Sequence, residues 1–263
     1  MSRAALPTRI LVTNDDGIHA PGLRVLEDIA RSLSDDVWVV APEFEQSGAG
    51  HSLTLTEPLR IRKVEERRFA VRGTPTDSVM LAINQIMKDA GPSLLLSGVN
   101  RGGNLAEDVT YSGTVAAAIE GTLTGIPSIA LSQLVEPAPK RTNWTAARMH
   151  AAPLIEALIE EGWPEEVLIN VNFPACDADA VKGVGVSEQG RRDLGGLVIE
   201  ERRDPRGLPY YWFGLSRSRG KPGHETDLKL VGEDWISVTP LHLDLTHHAT
   251  RKRLADGIEK RFR

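Results

Sequence analysis

Four short polar clusters carry the residue types that could do chemistry. They are Asn14-Asp15-Asp16-Gly17, Ser47-Gly48-Ala49-Gly50-His51-Ser52, Ser97-Gly98-Val99-Asn100-Arg101-Gly102-Gly103-Asn104 and Tyr111-Ser112-Gly113-Thr114. The adjacent carboxylates of Asp15 and Asp16 supply hard oxygens of the kind that Mg²⁺ and Mn²⁺ take. Side by side they repel, so gathering both at a strand end is unfavourable without a cation. Asn100 and Asn104 each offer a carbonyl oxygen to a metal and an N–H to a phosphate oxygen. Ser112 is a natural N-cap, Gly113 lets a ligand approach the backbone, and Thr114 adds a hydroxyl where a helix N-terminus favours anions. Each cluster alone also reads as plain structure: a strand-to-helix turn, a Gly-rich linker, a Ser-capped helix. Their joint content points to a metal ion and a phosphate.

The clusters need elements that bring them together. Arg9–Thr13 is a short β-branched run ended by an Asp-Gly turn signal, and Pro21 then opens a helix carrying Leu23, Leu26, Ile29, Ala30 and Leu33 at helical spacing. Val37–Val40 reads as a buried strand stopped by Pro42, followed by a meander at Ser52–Thr56, Leu59–Lys63 and Phe69–Val71. Thr74-Pro75-Thr76-Asp77 reads as a helix cap, Leu94–Leu96 as a strand, Gly113–Thr124 as a helix ended by Gly125, and Ile126–Leu131 as a strand. Trp144–Glu161 predicts another helix and Val167–Val171 another strand. Strands linked by helices imply a mostly parallel α/β sheet, where ligands bind beyond the carboxyl ends of the strands. From about Gly183 to Trp235 the composition shifts to Arg, Glu and Gly with short alternating runs, which suggests protruding β-ribbons; Thr246–Phe262 reads as a basic helix. Both are expected to be oligomerisation appendages on a single domain spanning 1–263.

Composition removes several classes. A chain of 263 residues, 41% hydrophobic, suits one large α/β domain. Its formal net charge of −5 argues against a general nucleic-acid binder. It has no run of about 18 apolar residues, the length of a membrane helix, and its first residues are too polar for a signal peptide. The single cysteine, Cys176, fits a reducing compartment, so a cytoplasmic protein is expected. No P-loop, no G-x-G-x-x-G after the first strand and no nucleophile elbow occur. His51 is expected to be an exposed loop histidine. The pairs Arg191-Arg192 and Arg202-Arg203, with Arg217 and Arg219, are expected to form a solvated or interface face.

The run Ile10 to Ile18 followed by Pro21-Gly22 resembles the N-terminal signature of the SurE survival-protein family. The resemblance continues through Ser47-Gly48, Ser52-Leu53-Thr54, Gly73–Asp77, Ser97–Asn104, Asp108, Tyr111–Val115, Asn170–Pro174 and Ser237–Leu241, in order along nearly the whole chain. It implies a Rossmann-like three-layer core with a projecting β-hairpin and a swapped C-terminal arm, in dimers or tetramers. It also implies one divalent metal, Mg²⁺ or Mn²⁺, on Asp15, Asp16, Ser47 and Asn100, and phosphate held by Asn104, Ser112, Gly113 and Thr114. Gln46 stands where many relatives carry a basic residue, and Ala106-Glu107 fills a stretch that often contains glycine.

The expected reaction is metal-assisted hydrolysis of nucleoside 5′- and 3′-monophosphates, with short polyphosphate a further substrate class. Asp15, Asp16, Asn104, Ser112 and Thr114 are the expected catalytic group, with one aspartate orienting or deprotonating water. Asn14 occupies the first position of what would otherwise be a D-x-D nucleophile motif, and a neutral amide cannot attack phosphorus, so direct attack by water is expected. Two alternatives stand beside this: a transferase acting on a metal-bound nucleotide-sugar, and a non-catalytic metal–nucleotide sensor.

Overall fold

Short apolar strands buried on both faces are what assemble the molecule. The computed structural model describes residues 7–136, 142–192, 197–215 and 225–262, so Arg217 and Arg219 lie outside the described residues. Strands β1 (Ile10–Thr13), β2 (Val37–Pro42), β3 (Arg60–Glu65), β4 (Arg68–Arg72), β5 (Leu94–Arg101), β6 (Ser128–Gln133), β7 (Val167–Phe173), β8 (Gly183–Val186) and β11 (Trp235–His242) form one sheet. Its order is β3-β4-β2-β1-β5-β6-β7-β11-β8. The six strands from β4 to β7 in that order run parallel, whereas β3 is antiparallel to β4 and β11 to β7.

Along β1 successive side chains serve opposite faces, as strand pleating requires. Ile10 and Val12 pack with Leu23 and Leu26 of helix α1 (Pro21–Leu33) and with Ala151 and Ile155 of α5 (Thr145–Glu161). Leu11 packs the other way, against Val79 of α2 (Pro75–Leu81) and Val115 and Ala118 of α4 (Gly113–Leu123). The result is three layers, helix on sheet on helix. No helix among the described residues is long and apolar enough to cross a membrane.

From β1 the chain first builds outward through β2, and only later returns to lay β5 on the other flank. The gap between the carboxyl ends of β1 and β5 is therefore a topological switch point, the place where open α/β sheets take ligands. The short helix α3 (Asp108–Tyr111) follows β5 and leads directly into α4.

Three expectations change. Residues 52–56 form no strand. The third polar cluster is not all loop: β5 continues to Arg101 through a register shift between Ser97 and Asn100. That shift needs Gly98 at φ +133°, because a Cβ there would lie 2.2 Å from the Leu131 carbonyl oxygen. The region 183–235 is only partly ribbon. Strands β9 (Leu197–Arg203) and β10 (Pro209–Leu215) form a separate hairpin, but β8 joins the main sheet and α6 (Asp227–Gly232) is helical. A bridge between Glu188 and Thr226 joins the two chain segments that flank this hairpin. The last helix, α7 (His248–Ile258), buries none of its residues.

Candidate active site at the switch point

The first cluster is shaped by its own side chains. Asn14 closes a tight turn: its Oδ1 accepts from the Gly17 N–H at 3.2 Å and its Nδ2 donates to the Gly17 carbonyl at 3.1 Å. Gly17 takes φ +97°, a conformation natural to glycine. The turn sends the two aspartates to opposite sides of the crevice. Asp15 is 5% exposed, and its Oδ1 accepts a 2.6 Å hydrogen bond from the Thr114 hydroxyl on α4. Asp16 accepts from the Arg101 N–H on β5 at 3.1 Å. The pair thus spans the switch point.

Burial lifts the Asp15 carboxyl to about 6; the Thr114 hydrogen bond opposes the rise and the Asp16 charge adds to it. Asp16 is also raised, chiefly by burial, with the Arg101 N–H opposing and the Glu45 charge adding. Burial is the main cause of both shifts, and the Arg101 charge counters it only at Asp16.

The helix side is built for close approach. Ser112 caps α4 by accepting from the Val115 N–H at 3.0 Å, which leaves its own hydroxyl proton to donate. Gly113 lies directly on Asp15: a Cβ there would sit 2.8 Å from Asp15 Cβ and 3.0 Å from Pro75 Cγ. The N–H groups of Gly113 and Thr114 open the helix and so have no intrahelical acceptor. Pro75 is fixed in turn by the expected cap, in which Thr74 Oγ1 accepts from the Asp77 N–H at 3.1 Å and Asp77 accepts from the Thr74 N–H at 2.9 Å.

The remaining clusters converge less directly. The Gln46 N–H donates to the Asp15 carbonyl at 2.8 Å, which brings the second loop alongside, and exposed Ser47 donates to Glu45 at 2.8 Å. His51 is exposed in its loop, as expected, and its Nε2 also lies 2.6 Å from Glu120 Oε1 on α4. Asn100 spends its Nδ2 on the Gly102 carbonyl at 2.8 Å, leaving its Oδ1 for another ligand. Asn104 is buried, and its Nδ2 donates to Ser132 at 2.8 Å. Its backbone is gripped by β7, through Asn172 Oδ1 on its N–H and Asn170 Nδ2 on its carbonyl, each at 2.8 Å.

Sequence reasoning did not single out Glu45 or Ser132, nor give Asn170 and Asn172 a structural task. Alternate asparagines inside an otherwise apolar strand were the available signal for that last pair. Of the arginines expected on a solvated or interface face, Arg191, Arg202 and Arg203 are exposed, but Arg192 turns inward, where its guanidinium makes a bidentate pair with Asp108 at 2.9 and 2.8 Å.

Among the described residues no three His, Cys, Asp or Glu converge as metal ligands. The donors at hand are two carboxylates with neutral amide and hydroxyl oxygens, a set that suits a hard divalent cation better than zinc. Beneath them Thr13 Oγ1 and Ser97 Oγ, register partners on β1 and β5, are buried with no hydrogen-bond partner. Two carboxylates facing one crevice, with only the Arg101 charge set against that of Asp16, fit such an ion.

Fold and site together define a class: doubly wound α/β proteins that hold a carboxylate pair against a helix N-terminus at the switch point. Within it, the chain belongs to the SurE family, whose description, Survival protein SurE, matches residues 10–195. A 5′-nucleotidase SurE of Methylobacterium sp. (strain 4-46) is 57% identical over 251 residues, covering 95% of this chain and 99% of that one. A 5′-nucleotidase SurE of Parvibaculum lavamentivorans is 56% identical, covering 95% and 91%. Among solved structures, the SurE protein from Aquifex aeolicus superposes with a TM-score of 0.81 at 39% identity, covering 94% of this chain and 98% of that one.

Proposed function

We propose that this protein hydrolyses nucleoside 5′- and 3′-monophosphates to nucleoside and phosphate. Asp15, Asp16, Ser47 and Asn100 hold one divalent cation, Mg²⁺ or Mn²⁺, and Asn104, Ser112, Gly113 and Thr114 receive the phosphate. The observation that carries the reading is the Asp15–Thr114 hydrogen bond, which joins the carboxylate pair to the N-terminus of α4, in a chain 57% identical to a 5′-nucleotidase SurE along nearly its whole length. A bound cation supplies charge neutralisation to the phosphoryl oxygens and acidifies a water. The chain's own groups do the rest. The opening N–H groups of α4 and the Ser112 hydroxyl donate to equatorial oxygens as charge spreads over them. Thr114 fixes one oxygen of Asp15, so the carboxylate is oriented before substrate arrives. One aspartate of the pair orients the attacking water and takes its proton.

The exposed aromatic and apolar side chains of the hairpin, Ile199, Tyr211 and Trp212, and of α7, Leu254 and Ile258, suit contacts with further copies of the chain, in a dimer or tetramer. The cytoplasm is the proposed compartment, in keeping with one free cysteine, Cys176.

The test is phosphate release from AMP and from p-nitrophenyl phosphate, with Mn²⁺, with Mg²⁺ and with chelator. Release that needs the metal and vanishes in a folded Asp16→Asn variant is expected. Metal-dependent AMP binding without release would point to a sensor, and release only with an acceptor to a transferase; either result refutes the hydrolase.

A further inference from the structure

Between Asn104 and Ser112 the chain crosses from one phosphate-side group to the other, and the middle of that crossing is held from far away in sequence. Ala106 is fully buried at φ +52°, a left-handed conformation uncommon for a residue with a Cβ. Both of its backbone groups are gripped by side chains. Its N–H donates to Asp227 Oδ2 at 2.8 Å, and its carbonyl accepts from Gln189 Nε2 at 2.8 Å. Its neighbours are held by Arg192. The guanidinium donates to the Leu105 carbonyl at 3.2 Å and to both oxygens of Asp108, while the Arg192 N–H donates to Glu107 at 2.9 Å. Asp227 also accepts from the Gly190 N–H at 2.9 Å, so the clamp is braced across its two strands of chain.

Four consecutive residues, 105–108, are therefore fixed by 189–192 and by Asp227. Strained backbone persists only where its surroundings over-determine it, and such places gather at functional sites. Here the held segment runs straight into α3 and the Ser112 cap.

We infer that Arg192 and Asp227 are positioning residues for the phosphate side of the site: they set where Ser112 and the N-terminus of α4 stand relative to Asn104, without touching substrate. Arg192 acts through its bidentate grip on Asp108, and Asp227 by holding Ala106 in its left-handed turn. The inference rests on the phosphate role given above to Ser112 and Asn104. It predicts that losing the clamp weakens phosphate more than the metal, because Asp16 is held by the Arg101 backbone and only Asp15, through Thr114, shares the displaced helix end.

The experiment uses the full chain with Arg192→Ala, Arg192→Lys and Asp227→Asn. The control is Arg9→Ala, which breaks the Arg9–Asp36 pair that precedes β1 and β2 at the opposite end of the sheet. Calorimetry reads Mn²⁺ affinity and, in saturating Mn²⁺, inorganic phosphate affinity; turnover of AMP is read separately. Arg192→Ala is expected to weaken phosphate at least about tenfold and lower kcat/KM about 100-fold, the scale of an ångström-sized misplacement. Its Mn²⁺ affinity should fall much less than its phosphate affinity, since Asp16 keeps its hold on the Arg101 backbone. Millimolar methylguanidinium should restore phosphate binding, and Arg192→Lys should not, since an ammonium lacks the planar fork. Arg9→Ala should lower Tm with phosphate affinity intact. Wild-type phosphate affinity in folded Arg192→Ala, or loss of Mn²⁺ affinity in step with phosphate, overturns the inference. If Arg192→Ala does not fold, Arg192→Lys decides: weakened phosphate at normal Tm supports the role, and unchanged phosphate overturns it. If the wild type binds phosphate but hydrolyses no monophosphate, the nucleotidase reading fails while the clamp is still judged by phosphate binding alone.

Discussion

The first 120 residues and the segment 183–235 serve the same rim of the sheet by opposite means. In the first, the turns and caps that present the chemical groups are set by neighbours close in sequence: Asn14 turns the chain at Gly17, Thr74 and Asp77 cap α2, and Ser112 caps α4. In the second, side chains reach back over long separations, Arg192 to Asp108 and Asp227 to Ala106. The first region supplies reactive groups on a rigid frame. The second supplies none of them and fixes the backbone between two of them. On the proposed reading, the reactive groups come from one half of the chain and their spacing depends on the other.

The difference can be sharpened by perturbing each region in turn. The largest expected effect belongs to the local carboxylate pair. The Asp15 carboxyl sits at about 6 in the fold against an ordinary 3.8, so the folded state holds its proton more tightly than the unfolded chain. The stability it contributes is fully present below 3.8 and is lost as pH rises through about 6, a change of about 3 kcal/mol. Urea unfolding in chelator should therefore show wild type losing stability over that window relative to Asp15→Asn, and Mn²⁺ should abolish the difference. A wild type that tracks Asp15→Asn across the window would mean the carboxylate is not under strain.

Next comes Gly113→Ala. A methyl group at 2.8 Å from Asp15 Cβ must push the carboxylate away from α4, and about 100-fold in kcat/KM should go with a modest fall in Tm. Retained activity would show that the contact is not needed for geometry.

Ala106→Gly gives the smallest effect and tests the long-range half. Removing the Cβ relieves the left-handed penalty of about 1 kcal/mol, offset in part by the greater freedom of glycine in the unfolded chain. Tm should rise slightly or hold, with kcat/KM unchanged, because Asp227 and Gln189 grip the backbone rather than the side chain. A fall in activity would mean that the methyl group itself shapes the turn.

What was legible in the sequence follows the same division. Apolar runs such as Val37–Val40 and Val167–Val171 announced parallel strands, and Pro21 and Thr74 announced helix starts, because those signals are local. The family motifs named Asp15, Asp16, Asn100, Asn104, Ser112 and Thr114 as a set, and the structure joins Asp15 with Thr114 and Asp16 with the Arg101 backbone. Illegible were the continuation of β5 through Gly98, which depends on the Leu131 carbonyl across the ladder, and the inward turn of half-buried Arg192, whose partner lies 84 residues away. Residues 52–56 looked like a strand by alternation, but Thr54 gives its N–H to Asp77, and Ser52 gives its carbonyl to the Thr74 hydroxyl. The ladder lost those groups to a cap.

The bridge between Glu188 and Thr226 bears on how this chain can change over time. Because the flanks of the hairpin β9–β10 are already tied to each other, whatever lies between them closes a loop, and loop entropy grows only slowly with length. Lineages are therefore free to lengthen, shorten or rewrite that arm without disturbing the hold on residues 105–108.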